Sequence, residues 1–193
     1  MTFLNTNLNI TNFKIAIIGG GNITYRKLLY ILQFTNDITI ISPKINKNIK
    51  KIAKTHNLNI KYRKYKKKDI KRYNILIVTA NNIKLQKNIY KQTKTIPNKF
   101  CNCVDSKKYS NIIFPAIIKK DNLTITISTD GLSPAFAKQF KDYIETIIPS
   151  NIDIFLKELS TLREALPKGE KRMKKLSKKV KKYIKFHFHN HSL

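Results

Sequence analysis

Two places in the sequence put chemically capable residues where a ligand would meet them. The first is Gly19-Gly20-Gly21. Tandem glycines let a chain turn tightly and let its backbone approach a phosphate with no side chain in the way. Where such a turn leaves a strand and opens a helix, the unpaired N–H groups of the helix start add partial positive charge, and the turn can hold a pyrophosphate. Read as G-x-G-x-x-G the match is partial: Gly19 and Gly21 fit, and Thr24 or Tyr25 stands where a third small residue belongs. A turn with a purely structural role is the competing reading. The second place is Asp105, one of 11 acidic residues set against 39 basic ones. A carboxylate at the carboxyl end of a central strand, where ligands of open α/β sheets bind, can act as a general base. It can equally cap a helix or pair with Lys107 or Lys108.

A third position qualifies the first. About twenty residues after a dinucleotide glycine turn, an acid normally holds the adenosine ribose hydroxyls. Here the chain reads Ile41-Ser42-Pro43-Lys44, without Asp or Glu. Ser42 can hydrogen-bond a ribose and Lys44 can neutralise a phosphate, so charge logic does not separate NAD from NADP. Ser42-Pro43 can also do no more than start the next helix.

The elements that must hold these residues follow from periodicity. Phe13–Ile18 is a short β-branched run stopping at glycine, Thr24–Phe34 has helical spacing, and Ile38–Ile41 is a second β-branched run. Strand, glycine turn, helix and strand make a βαβ unit. Helix over Pro43–His56, strand over Leu58–Tyr62, a charged connection over Lys64–Tyr73, strand over Ile75–Thr79, helix over Ile83–Thr93 and strand over Phe100–Val104 continue the alternation. That pattern predicts an α/β fold with a Rossmann-like parallel sheet. The texture changes near residue 111. Ile112–Ile118 and Leu123–Ser128 read as an antiparallel pair about the turn Lys119-Lys120-Asp121-Asn122. Ser133-Pro134 then opens a helix to Ile148, with Ser as N-cap and Pro at the first helical position. Asn151–Leu166 and the basic Lys171–Lys185 are further helices, and the alternating histidines of 187–191 read as a frayed end. The expected domains are 1–111, 112–148 and 149–193.

The net charge of +28 on 193 residues invites a nucleic-acid reading. Against it, Lys outnumbers Arg roughly seven to one and is spread along the chain with little aromatic interleaving, a bias typical of Lys-, Asn- and Ile-rich coding. No nucleic-acid partner is expected. No run approaches a membrane span, and no secretory signal is visible, so a cytoplasmic protein without membrane attachment is expected. Cys101 and Cys103 share one face of a strand and read as packing residues; no metal site is expected.

Four blocks in order resemble the precorrin-2 dehydrogenase/sirohydrochlorin ferrochelatase module of siroheme synthases. They are Ile17-Ile18-Gly19-Gly20-Gly21-Asn22-Ile23, Phe100-Cys101-Asn102-Cys103-Val104-Asp105, Phe114-Pro115-Ala116-Ile117-Ile118 and Ser128-Thr129-Asp130-Gly131-Leu132-Ser133-Pro134-Ala135. The resemblance implies NAD at the glycine turn with Asn22 and Ile23, and again at Pro43 and Lys44. It implies a requirement for Asp105 in dehydrogenation, and a dimerisation module after residue 111 followed by a small helical domain. It implies a homodimer that oxidises precorrin-2 to sirohydrochlorin, the tetrapyrrole lying between the nucleotide domain and the C-terminal parts. Ferrous iron as a second substrate, inserted to give siroheme, is left open by the residues. The eight carboxylates of such a substrate give the lysine excess a use as a cationic funnel. Three departures stand out. Ala80-Asn81-Asn82 replaces acids common in the family, Cys103 replaces an aliphatic residue, and Thr129 stands where some members carry a phosphorylated serine. The family's fused methyltransferase module is not in these residues, so precorrin-2 is expected from a separate enzyme. A nucleotide-sensing regulatory domain without catalysis is the alternative.

Overall fold

The computed structural model describes residues 3–104 and 106–188. They form two compact units, divided between Ile113 and Phe114.

The first unit is a five-stranded parallel sheet of β1 (Ile15–Ile18), β2 (Ile38–Ile41), β3 (Asn59–Lys61), β4 (Ile75–Val78) and β5 (Phe100–Cys103), in the order β3-β2-β1-β4-β5. The expected α/β class and parallel sheet are both present. β1, β2 and β4 are buried along their whole length, which is why they read as unbroken Ile-rich runs and not as alternating ones. Three helices connect the strands: α1 (Asn22–Ile31), α2 (Lys47–Thr55) and α3 (Ile83–Lys94). A 3-10 turn over Lys67–Arg72 occupies the charged connection. Ala16, Ile18, Ile41, Leu76, Val78, Cys101 and Cys103 present one sheet face to Ile89 and Tyr90 of α3 and to Ile70 and Tyr73.

Because the order runs outward from β1 in both directions, the direction of strand travel reverses between β1 and β4. That is the switch point at which open sheets bind ligands. It also corrects the expectation that Asp105 follows a central strand, because β5 is an edge strand. Its sequence looks interior because its outer side is sealed. The Cys101 N–H donates to Asn111 Oδ1 at 2.6 Å, and the Cys103 N–H to Ser110 Oγ at 2.9 Å. The Asn111 N–H donates back to the Cys101 carbonyl at 3.0 Å. Two side chains thus satisfy the donors that a sixth strand would have taken.

The same segment explains a second correction. Residues 112–115 are not part of the strand expected over 112–118. The Ile112 carbonyl accepts from Asn102 Nδ2 at 3.0 Å, so Ile112 serves the edge of the first unit. The following strand, β6 (Ala116–Lys120), starts only after Pro115. β6 pairs antiparallel with β7 (Leu123–Ile127), and the ladder runs to Lys120 and Leu123. The turn is therefore only Asp121-Asn122, with Asp121 at φ 46. In this second unit α4 (Pro134–Ile147) begins as anticipated, Ser133 Oγ accepting from the Phe136 N–H at 3.2 Å with Pro134 in the first turn. α5 (Ile152–Ala165) and α6 (Glu170–Phe188) follow. Ile118, Ile148, Ile152 and Phe155 form the core, and Phe155 stacks on Tyr183 of α6 with centroids 3.8 Å apart. His187, expected at a frayed end, lies in the last turn of α6 with its ring 4.3 Å from that of Tyr183. His189 and His191 lie outside the described residues.

Candidate functional site

The site is built where the β1–α1 turn meets the β2–α2 loop. Gly19 has φ +137, a conformation that side-chain-bearing residues rarely adopt. A Cβ there would also run into Thr79 Oγ1. Gly20 is excluded from change for a different reason, since a Cβ on it would collide with the Lys44 carbonyl oxygen. Hydrogen bonds fix that approach from both sides. The Asn46 N–H donates to the Gly20 carbonyl at 2.9 Å, and the Gly19 N–H to the Ile41 carbonyl at 3.1 Å. Gly21 is different again: a Cβ there would meet nothing within 4 Å. Its freedom from a side chain serves no internal packing. It keeps open the space in front of α1.

The helix start behind that space is bare. Gly21 is the N-cap of α1 and offers no side-chain acceptor, and the first turn holds no acid. The other two helices of this unit are capped by their own chain. Asn46 Oδ1 accepts from the Ile49 N–H at 3.0 Å, and Asn82 Oδ1 from the Leu85 N–H at 2.9 Å. Asn82, one of the amides that replace the family's acids after β4, thus serves as the cap of α3, a role an aspartate would fill as well. A helix start without a cap, facing open space behind glycines, suits an anion.

Thr24 fills the place of the third glycine, whose usual function is close helix–strand packing. It is buried on α1, with its Oγ1 2.6 Å from Thr79 Oγ1 at the end of β4. Thr79 Oγ1 donates to the Ile18 carbonyl at 3.1 Å, so the shared proton is that of Thr24. A short hydroxyl chain thus replaces the bare contact, binding α1 to β4 and β1. The sequence carried no sign of Thr79 in this role. Asn46 was equally unforeseen: besides capping α2, its Nδ2 donates to Asn22 Oδ1 at 3.0 Å, tying the two halves of the site together.

The structure therefore brings Gly19, Gly20, Gly21, Asn22, Ser42 and Lys44 into one neighbourhood, with Ile23 in the first turn of α1. Ser42 is buried and its hydroxyl donates to the Lys44 carbonyl at 2.8 Å, which leaves only its lone pairs for a ligand. Pro43 and Lys44 are exposed beside it. Asp105 lies outside the described residues. The strand before it is in place: the Val104 N–H donates to the Val78 carbonyl at 3.1 Å, extending the sheet by one rung. Cys101 and Cys103 share a face as expected, buried, with sulfurs 3.7 Å apart. The hydrogen bond with Cys103, and then burial, push the Cys101 thiol far above its ordinary pKa, so it stays protonated and inert.

The profile of the family described as "Putative NAD(P)-binding" matches residues 6–116, more than half of the chain. The chain belongs to this putative NAD(P)-binding family. The match covers the sheet, the glycine turn and the β2–α2 loop. A curated precorrin-2 dehydrogenase of Bacillus subtilis (strain 168) is 27% identical over 155 residues, covering 80% of this chain and 93% of that one. A siroheme synthase of Pseudoalteromonas translucida (strain TAC 125) is 25% identical, covering 79% of this chain but 32% of its own. The chain therefore spans nearly all of the first relative and about a third of the second. A solved structure titled "SirC, precorrin-2 dehydrogenase" superposes with a TM-score of 0.73 at 23% identity, over 91% of this chain and 88% of that one, which establishes the common fold.

The differing surroundings of the glycines in this NAD(P)-binding unit give a direct test. Gly20→Ala should lower stability by about 1–3 kcal/mol, because backbone and not a flexible side chain must give way. Gly21→Ser should leave stability unchanged or raise it by up to about 1 kcal/mol, because it supplies the cap that α1 lacks. Urea unfolding midpoints measure both. Equal losses at the two positions would contradict the assignment.

Proposed function

We propose that this chain oxidises precorrin-2 to sirohydrochlorin with NAD. The observation that carries the reading is the open space at Gly21 before the uncapped start of α1, in a chain that spans nearly all of a relative named precorrin-2 dehydrogenase. The regulatory-domain alternative finds no support in these relatives. The residues present fit a dinucleotide: Gly19 and Gly20 shape the turn, Gly21 clears the approach, and the N–H groups of Asn22 and Ile23 face the pyrophosphate. Bound NAD supplies the acceptor for the hydride that precorrin-2 loses. The chain supplies the rest. A carboxylate oxygen of Asp105 takes the proton released with that hydride, and the same group is available to accept pyrrole N–H protons if ferrous iron enters. The 39 basic residues draw in a substrate with eight carboxylates.

The reading includes a homodimer. On α4, Phe136 stacks on Phe140 at 5.5 Å and Phe140 on Tyr143 at 6.4 Å, and these three rings, with Leu132, are exposed. A contiguous apolar stripe of this kind is costly in water and suits a second copy of the chain. No described helix is long and apolar enough to cross a membrane. Phe140→Glu should halve the mass found by sedimentation; an unchanged mass would contradict the assignment of this face.

Asp105→Ala should abolish NAD reduction with precorrin-2 while NAD still binds, as followed by absorbance under anaerobic conditions and by calorimetry. Gly21→Asp should fold as the wild type does and lose NAD binding, because a carboxylate would occupy and repel the pyrophosphate position. Normal turnover by the first variant would remove Asp105 as the base. Unchanged affinity in the second would remove the glycine turn as the cofactor site.

A further inference from the structure

The end of β2 bears on which dinucleotide the site admits. An acid at this point selects NAD twice over, by accepting from the adenosine ribose hydroxyls and by repelling the 2′-phosphate of NADP. Residues 1–104 contain two carboxylates, Asp37 and Asp69. Neither reaches the end of β2. Asp37 immediately precedes β2, and its carbonyl accepts from the Ile15 N–H at 3.0 Å, so it sits at the amino edge of the sheet, opposite the loop. Asp69 is buried and held by Arg63 Nη1 and Nη2, at 2.7 and 2.8 Å, and by the Lys66 N–H at 2.8 Å. Arg63 holds its carboxyl below the ordinary carboxylate range.

What stands at the carboxyl edge is cationic. The ten residues Ser42–Lys51 include Lys44, Lys47, Lys50 and Lys51 and no acid. Lys44 is exposed and makes no ion pair among the described residues. Its backbone is nevertheless one of the best-fixed points of the site. The carbonyl sits against Gly20, accepts from Ser42 Oγ, and is followed by Asn46, whose N–H is bonded to the glycine turn. An ammonium group is therefore rooted on a rigid loop where the second strand ends, beside the turn assigned to the pyrophosphate.

We infer that the site does not discriminate against the 2′-phosphate, and that Lys44 is the residue through which NADP is accepted alongside NAD. This inference rests on the dinucleotide reading above and adds a specificity determinant to it. A dianionic phosphate gains from the local positive field, and neither carboxylate of residues 1–104 stands at that edge to turn it away.

Titration calorimetry on the full chain, with NAD and NADP separately in about 0.15 M salt, tests it without any turnover. The wild type should bind the two with dissociation constants within about tenfold of each other. Lys44→Glu should raise the ratio Kd(NADP)/Kd(NAD) at least about tenfold. Lys54→Glu, an equal charge change in the last turn of α2, should move that ratio less than about threefold. Circular dichroism checks that both variants fold. Wild-type preference for NAD by more than about tenfold would overturn the inference while leaving the dinucleotide reading intact. Equal shifts from the two variants would remove Lys44 as the determinant. Failure of both dinucleotides to bind would overturn the inference and the reading beneath it together.

Discussion

Between Gly20 and the carbonyl of Lys44 there is room for hydrogen and for nothing larger. That approach locks the turn after β1 to the loop after β2, and the rest of the site is arranged around it. The Asn46 N–H closes the contact on one side, and the Asn46–Asn22 bond repeats it at the side-chain level. Since α1 starts at Asn22, the direction in which its first N–H groups face is decided by this junction. A site that must present backbone donors to a phosphate needs its backbone held by backbone, because long side chains would bring their own mobility.

The capping pattern shows where stability has been left unclaimed. α2, α3 and α4 each have a side chain on the first turn, from Asn46, Asn82 and Ser133, and α5, which lacks a side-chain cap, has Asp153 in its first turn. α1 has none, although Gly21 has the extended backbone (φ −97) that a capping serine or aspartate would adopt without strain. An N-cap is worth about 0.5–2 kcal/mol, so leaving this one out is a sizeable omission in a domain of marginal stability. The omission makes physical sense if an anion from outside completes the helix start, and in that case ligand binding and folding are linked. The hydroxyl chain from Thr24 through Thr79 to the Ile18 carbonyl then keeps α1 seated when the site is empty.

Much of this was legible in the sequence, and the failures have definite causes. The β-branched runs and the glycine turn marked β1, α1 and β2, and the Ser133-Pro134 pair marked the start of α4. Lateral strand order is not a local property, so the position of β5 at an edge could not be read from Phe100–Cys103. The deception was strengthened by Ser110 and Asn111, which seal that edge and let it carry interior-like residues. The strand expected from Ile112 failed because apolar residues on that seal mimic a strand's composition. The turn expected over four residues shrank to two because Lys119 and Lys120 belong to the ladder: Lys119 lies on its exposed face, and the Lys120 ammonium donates to the Glu145 and Ile148 carbonyls at the end of α4. At the site itself, glycines announce freedom but not its purpose. Only the folded arrangement separates Gly19 (strained backbone), Gly20 (close approach) and Gly21 (open space), and only there do Thr79 and Asn46 become partners.

On the proposed reading, the bare first turn of α1 binds the pyrophosphate through its backbone N–H groups. Amide chemical shifts recorded during an NAD titration test it residue by residue. The amides of Gly21, Asn22, Ile23 and Thr24 should shift most and saturate together, while those of Ile83 to Leu85, at the capped start of α3, stay in place. Saturable NAD binding that leaves the α1 amides unmoved, or moves those of α3 instead, would contradict the account.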